Sequence, residues 1–433
     1  MAVKGVARWA GGVGSVLSSQ AVFGWLVATS ASAAVALALA VLIGLVVVVA
    51  PVLVLAGTLP ATFGYWRIGP ASADLSVADV ALAAGSVAAL PFAPWRSPAV
   101  RSVLRILVGY LAVLLVTVVL NPSERALLEW GHRLFLVAGA VLVGAALSRA
   151  GASLLALRAF VAASAIVAGR AVVDVLLSGG GWPPDPAFPF DIQKNTAGFL
   201  LAAAFVVLVV VGRTLRIRPP VRLALECLVL LGLLATQSRG AVATLAVVLA
   251  LWSIWSGRIA RSPSALLMVV MLAVLTYAGS VQLFSADELD SRFSSVGSRL
   301  ETNEAALDLW REQPVEGVGL KYWRDADFAG VVGFGEPHNV AIAAMGESGL
   351  IGLVAILGFI IGVTRALRRM SGPLAVAALL LFVGKAVNGL IDIYWVAGTF
   401  TLAMIVVGMA AGASDAEIVL DSSDRRAAGL TMG

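Results

Sequence analysis

The sequence predicts an all-α integral membrane protein with about twelve transmembrane helices, and three observations carry that prediction. Of the 433 residues, 60% are hydrophobic and 13% charged, whereas soluble domains use roughly 45–50% apolar and 25% charged residues. The mean hydropathy is +0.97. Apolar runs such as Ser32–Gly57 and Ala197–Gly212 recur along the whole chain, and they approach or reach the ~20 residues a helix needs to cross the hydrocarbon core. The short alternating dyads of β-barrel strands do not occur.

Met1–Gln20 carries Lys4 and Arg8 but no apolar core followed by a small-residue cleavage site, so Ser32–Gly57 is expected as a retained first span. Pro51 marks either a kink in that span or the join of two, and one span is assumed. Further spans follow at Leu75–Pro94, Val103–Leu120, Leu134–Leu147, Leu154–Ser178, Ala197–Gly212, Leu223–Thr236, Gly240–Trp255, Ser264–Phe284, Val340–Val363, Pro373–Leu390 and Ile393–Gly412. Residues 1–31 then form a cytoplasmic segment, 32–413 the polytopic domain, and 414–433 a cytoplasmic disordered tail.

Every second connection is arginine-rich, for example Arg149 and Arg158, the group Arg213, Arg216, Arg218 and Arg222, and the group Arg365, Arg368 and Arg369. The positive-inside rule makes these cytoplasmic, with both termini on the same side of a plasma or inner membrane. Arginines at span ends also account for the pI of about 9.7, so no nucleic-acid partner is implied. The single Cys227 excludes an intramolecular disulfide.

The two longest connections, Gly179–Asn195 and Ser285–Val340, fall on the outer side. Trp182-Pro183-Pro184-Asp185-Pro186 cannot continue a helix and predicts an irregular loop. The Ser285–Val340 loop holds Asp287, Glu288, Asp290, Glu301, Glu304, Asp308, Glu312, Glu316, Asp325, Asp327 and Glu336, eleven of the 25 acidic residues. Glu301–Trp310 reads as a short helix with an apolar side, suited to roofing a cavity at the membrane surface.

Chemistry is expected where polar groups concentrate. His338, in Pro337-His338-Asn339, reads either as a base that takes a proton from a hydroxyl or as a helix-start histidine bonded to backbone. The second histidine, His132, reads as interfacial. Arg239 lies on an outer turn, against the orientation bias, and either snorkels or holds a phosphate bidentately. Asp325 with Asp327, and Asp74 with Asp79, are candidate carriers of a divalent cation. Arg170 and Asp174 share a helix face and are expected to pair, while Lys385, Asn388 and Asp392 form a second polar line, a cavity wall or a proton path.

These residues fall in an order that resembles the O-antigen ligase and polymerase family of membrane glycosyltransferases. The order is Gln193-Lys194-Asn195 opening a span, Ser238-Arg239-Gly240, Arg299 before an Ala-rich helix, Gln313-Pro314-Val315-Glu316-Gly317, then Pro337-His338-Asn339 leading to Gly346-Glu347-Ser348-Gly349. The resemblance covers roughly Asp191–Val363. It implies a GT-C-like polytopic architecture and transfer of a glycan, without metal or other cofactor, from a polyprenyl diphosphate such as undecaprenyl diphosphate to an acceptor hydroxyl in cell-envelope polysaccharide biosynthesis. It also implies that Arg239 and Arg299 bind the diphosphate and that His338 activates or orients the acceptor. Lys194, Asn195, Arg311, Asn339 and Glu347 are the accompanying substrate-binding candidates. Four residues after Arg299 the family commonly has tryptophan where this chain has Asn303, so Arg292 and Arg311 stand as alternatives for the second phosphate ligand. The rival readings are a transporter or lipid-linked glycan flippase, motivated by Arg170/Asp174 and Lys385/Asp392, and a metal-dependent polyprenyl-phosphate glycosyltransferase.

Overall fold

The computed structural model describes residues 43–68, 75–178, 192–256, 286–324 and 336–427, with backbone alone at 67–68, 254–256, 286–298, 324 and 415–427. Apart from an antiparallel pairing of Arg67–Ile68 with Leu75–Ser76, the regular structure among these residues is helical. In chain order the helices are α1 (Pro51–Gly57), α2 (Val77–Ala89), α3 (Pro98–Leu120), α4 (Glu124–Arg149), α5 (Ser153–Leu177), α6 (Lys194–Val211), α7 (Pro219–Ala235), α8 (Arg239–Ser256), α9 (Ala286–Glu312), α10 (Val340–Leu367), α11 (Gly372–Asn388) and α12 (Thr399–Ala427). Five of them, α3, α4, α5, α6 and α10, are long and apolar enough to cross a membrane, and α2, α8, α11 and α12 contain shorter apolar stretches. This is an all-α, multi-pass membrane protein.

The helices obey the chemistry of a lipid solvent. On α3 the residues Val100, Val103, Leu107, Leu111 and Leu114 are buried while Val108, Val116 and Val119 on the opposite flank are exposed, so both faces are apolar and only packing distinguishes them. Without a hydrophobic drive between helices, close approach supplies the attraction. The most intimate pair is α4 with α12, where a Cβ placed on Gly144 would lie 1.9 Å from the Ile405 carbonyl oxygen and one on Gly408 would lie 2.2 Å from that of Val141. Backbone meets backbone there.

Several expectations require correction. The first span is interrupted at Ala50, whose φ of −135° is non-helical, because Pro51 restarts the helix in its own first turn. Helix α4 begins at Glu124 rather than Leu134, running through a π-helical turn at Phe135–Gly139. The last helix begins at Thr399 rather than Ile393 and continues to Ala427, into the tail expected to be disordered. The short helix at Glu301–Trp310 is the end of the 27-residue α9. The span at Ser264–Phe284 and the loop around Trp182 lie outside the described residues.

The connections sort into two groups. Asn121 Nδ2 donates to the Gly317 carbonyl (3.2 Å), Ser238 Oγ to Asn195 Oδ1 (3.2 Å), Val340 N–H to the Gly389 carbonyl (2.7 Å) and Arg299 Nη1 to the Ile391 carbonyl (3.4 Å). The ends of α3, α7 and α11 and the starts of α6, α8 and α10 are thereby linked through one set of contacts. In the other group, Arg158 donates through Nε and Nη2 to the Leu215 carbonyl (3.1 and 2.8 Å).

Candidate functional site

One turn, residues 388–393 after α11, gathers the polar pieces. Gly389 and Leu390 hydrogen-bond back to Lys385 and Val387 and Ile391 to Asn388, which leaves three successive carbonyls directed at neighbours. That of Gly389 accepts from Val340 N–H (2.7 Å), that of Leu390 from Asn339 Nδ2 (3.1 Å), and that of Ile391 from Arg299 Nη1 (3.4 Å). On another side of the turn, a Cβ at Gly240 would lie 3.3 Å from Ile391 Cδ1 and 3.8 Å from Asn388 Nδ2. The immediate neighbours of His338 and Arg239, and Arg299 itself, therefore all touch this turn.

His338 precedes Asn339, which caps α10 by accepting from the N–H groups of Ala341 (3.0 Å) and Ile342 (3.2 Å). The capping work falls to Asn339, and His338 Nδ1 is buried with no hydrogen-bond partner among the described residues. Burial, and then the Arg299 guanidinium, hold the imidazole below its ordinary pKa, against the opposing effect of Asp392 and the Glu336 backbone. The lowered pKa favours the neutral ring, in which one nitrogen can accept a proton.

Arg239 opens α8 and is exposed, with no ion pair among the described residues. Lys194 likewise is the exposed first residue of α6. The Ser238–Asn195 bond of 3.2 Å holds these two helix starts side by side, so two cations and two positive helix-dipole ends share one place. Arg311, in contrast, pairs with Asp308 on the exposed face of α9. Among the candidates for a second phosphate ligand, Arg299 is the one that reaches the 388–393 turn; the Arg292 side chain lies outside the described residues.

A second polar cluster lies deeper and was not expected from the sequence. Arg133 Nη2 donates to both Glu347 oxygens (2.8 and 2.9 Å), and Arg133 Nε donates to Glu129 Oε1 (2.9 Å). Lys321 completes it, its Nζ 3.0 Å from Glu129 Oε2 and its backbone N–H 2.9 Å from Glu347 Oε1. His132 Nε2 lies 2.8 Å from Asp79 Oδ1, and Arg133 stacks 4.9 Å over Trp395. Glu129, Arg133 and Glu347 are each at most 5% exposed, so this is a buried, internally satisfied network. His132, read from the sequence as interfacial, is partly buried and paired with Asp79, which also caps α2 with Ser76. Glu347, expected to touch substrate, has both oxygens occupied inside the protein. The available signal was the spacing: Glu129 with Arg133 at i,i+4 and with His132 at i,i+3 belongs to a helix interior.

The network is held by an opening in α10. Gly349 has φ +61° and ψ −153°, a conformation essentially restricted to glycine. The segment after α9 enters there: Val318 and Gly319 donate to the carbonyls of Gly346 and Glu347 (3.0 and 2.9 Å), and Leu350 and Ile351 donate to those of Pro314 and Val315 (2.9 and 3.3 Å). The loop beyond, at 325–335, including Asp325 and Asp327, lies outside the described residues, as does Asp74. Burial pushes the Glu336 carboxyl up to about 8; Glu129 and Glu347 add to the shift and Lys321 and Arg133 oppose it. Arg170 and Asp174 pair at 3.0 Å, as expected, with Arg170 half exposed on the flank of α5.

Residues 223–357 match the family model described as O-Antigen ligase. Over that segment the chain is similar to the O-antigen ligase family. That segment contains Arg239, Arg299, His338 and Glu347, while Lys194, the 388–393 turn and Arg133 lie outside it. No curated protein matches the chain.

Proposed function

We propose that this protein belongs with the O-antigen ligases it resembles over residues 223–357 and transfers a glycan from a polyprenyl diphosphate to an acceptor hydroxyl on the outer face of the cytoplasmic membrane, as a ligase or polymerase of cell-surface polysaccharide. The observation that carries this reading is the meeting of Arg299, the Arg239 helix start and the His338–Asn339 cap on one turn, with His338 Nδ1 lacking a hydrogen-bond partner among the described residues. In the step, the acceptor oxygen bonds to the anomeric carbon as its proton passes to His338 Nδ1. The bond from that carbon to the diphosphate oxygen breaks, and its electron pair leaves with the polyprenyl diphosphate. Arg239, Arg299 and Lys194 stabilise the departing anion by charge-assisted hydrogen bonds, a role that elsewhere falls to a divalent metal.

Asn195 and Asn339 orient this frame, Arg311 lies at its edge, and Glu347 acts through the inserted 314–319 segment. The twelve-span, GT-C-like architecture with cytoplasmic termini belongs to the same proposal. The test uses purified protein and a lipid-linked glycan extracted from cells lacking it. Arg239→Ala and His338→Ala are expected to remain membrane-inserted and to lose transfer by about 10²-fold or more, with wild-type transfer unchanged by EDTA. Near-normal turnover in both variants removes the mechanism, and a strict magnesium requirement favours metal-dependent chemistry.

A further inference from the structure

Lys385 is a buried charge that the proposed chemistry leaves without a task. It is 1% exposed, near the end of an otherwise apolar helix. Its Nζ has no carboxylate within ion-pair distance among the described residues. Instead it donates to Asn388 Oδ1 (3.3 Å) and to the Ile393 carbonyl (3.1 Å), with the ring centroids of Phe199 and Tyr394 at 5.3 and 5.5 Å. Burying an ammonium with no carboxylate in contact, only Asp392 and Glu336 at longer range, is unfavourable; methionine would fill the same space without that penalty.

The two acceptors are the first and last residues of the 388–393 turn. Between them stand the three carbonyls that hold Val340, Asn339 and Arg299, and Asn388 itself packs against Gly240. We propose that Lys385 is a positioning residue: it ties both ends of this turn and thereby fixes Arg299 and His338 relative to each other. It never touches substrate. The inference rests on the functional reading above, because only a reacting pair needs so fixed a frame, and a misplacement of about 1 Å costs on the order of 10²-fold in rate.

The test compares Lys385→Met and Lys385→Arg with wild type in detergent, measuring Tm, affinity for undecaprenyl diphosphate as probe, and transfer from lipid-linked glycan across pH. A positioning role predicts that Lys385→Met keeps its Tm within about 4 °C, binds the probe within about tenfold and loses about 10²-fold in kcat. The acid limb of its residual activity shifts, since His338 no longer has the same distances to Arg299 and Asp392. Lys385→Arg, whose guanidinium can reach both acceptors, recovers at least about a tenth of wild-type kcat. Wild-type kcat in Lys385→Met overturns the proposal. So does a loss that tracks a fallen Tm with the pH limb unmoved and no recovery in Lys385→Arg. Retained transfer in Arg239→Ala, Arg299→Ala and His338→Ala is a different result: it removes the functional reading itself and this inference with it.

Discussion

At the scale of single residues, the imidazole of His338 depends on two neighbours of opposite sign. Burial and Arg299 lower its pKa and Asp392 raises it. A base must be unprotonated to act, so kcat/KM should rise with pH through a limb below the ordinary value of about 6.5 and be level at neutrality. Asp392→Asn removes an anion that stabilises imidazolium, so the limb should move to lower pH. Arg299→Gln removes a cation, so the pKa should rise. The second shift is readable without activity, from the pH dependence of diethyl pyrocarbonate modification at His338, with peptide mass spectrometry separating it from His132. Unmoved profiles in both variants would mean that the three side chains do not share a field. Arg239 and His338 stand out in the sequence as charged or titratable groups at improbable places, whereas Arg299 is singled out there only by the family resemblance. The turn that gathers them does not stand out, since it works through the carbonyls of Gly389, Leu390 and Ile391, and a carbonyl has no residue signature.

At the scale of elements, polar residues misled where they were satisfied internally. Glu124, Glu129, His132 and Arg133 lower the local hydropathy enough that the sequence places the start of α4 at Leu134, yet in the fold they are helical and three of them are buried or half-buried in the network. Arg133→Leu tests the energetics of that network. It leaves Glu129 and Glu347 buried beside each other with Lys321 as remaining counter-charge, and removal of one partner from a buried pair costs about 3–5 kcal/mol. Thermal denaturation in detergent should show a clearly lower Tm. An unchanged Tm would show that the carboxylates take up protons or water instead. Helices without such interruptions, α5, α6 and α8, were predicted to within a few residues, because there the apolar run and the helix end at the same place.

For the whole molecule, the two groups of connections are the main legible feature. Segments predicted to be arginine-poor supply the contacts of the 388–393 turn, through Asn339, Val340 and Arg299, whereas two predicted arginine-rich segments are joined by the hydrogen bonds from Arg158 to the Leu215 carbonyl. A single native cysteine makes the sidedness testable: in a Cys227→Ser background, Leu390→Cys should react with a membrane-impermeant maleimide in intact cells, and Thr214→Cys only after permeabilisation. Both positions are exposed in the fold. The reverse pattern would turn the protein over in the membrane and put the candidate site in the cytoplasm. The close approach of α4 and α12, in contrast, could not be read from the sequence, because Gly144 and Gly408 stand far apart in the chain and each resembles any other small residue in an apolar run.

The opening in α10 bears on how such proteins can be recombined. Residues 314–319 and 346–351 complete each other's main-chain hydrogen bonds, so neither half is self-sufficient. A chimera that grafts the outer loop of one relative onto the membrane helices of another would leave unpaired amides on both sides of the seam, and exchange should succeed only when the graft carries both strands of the splice.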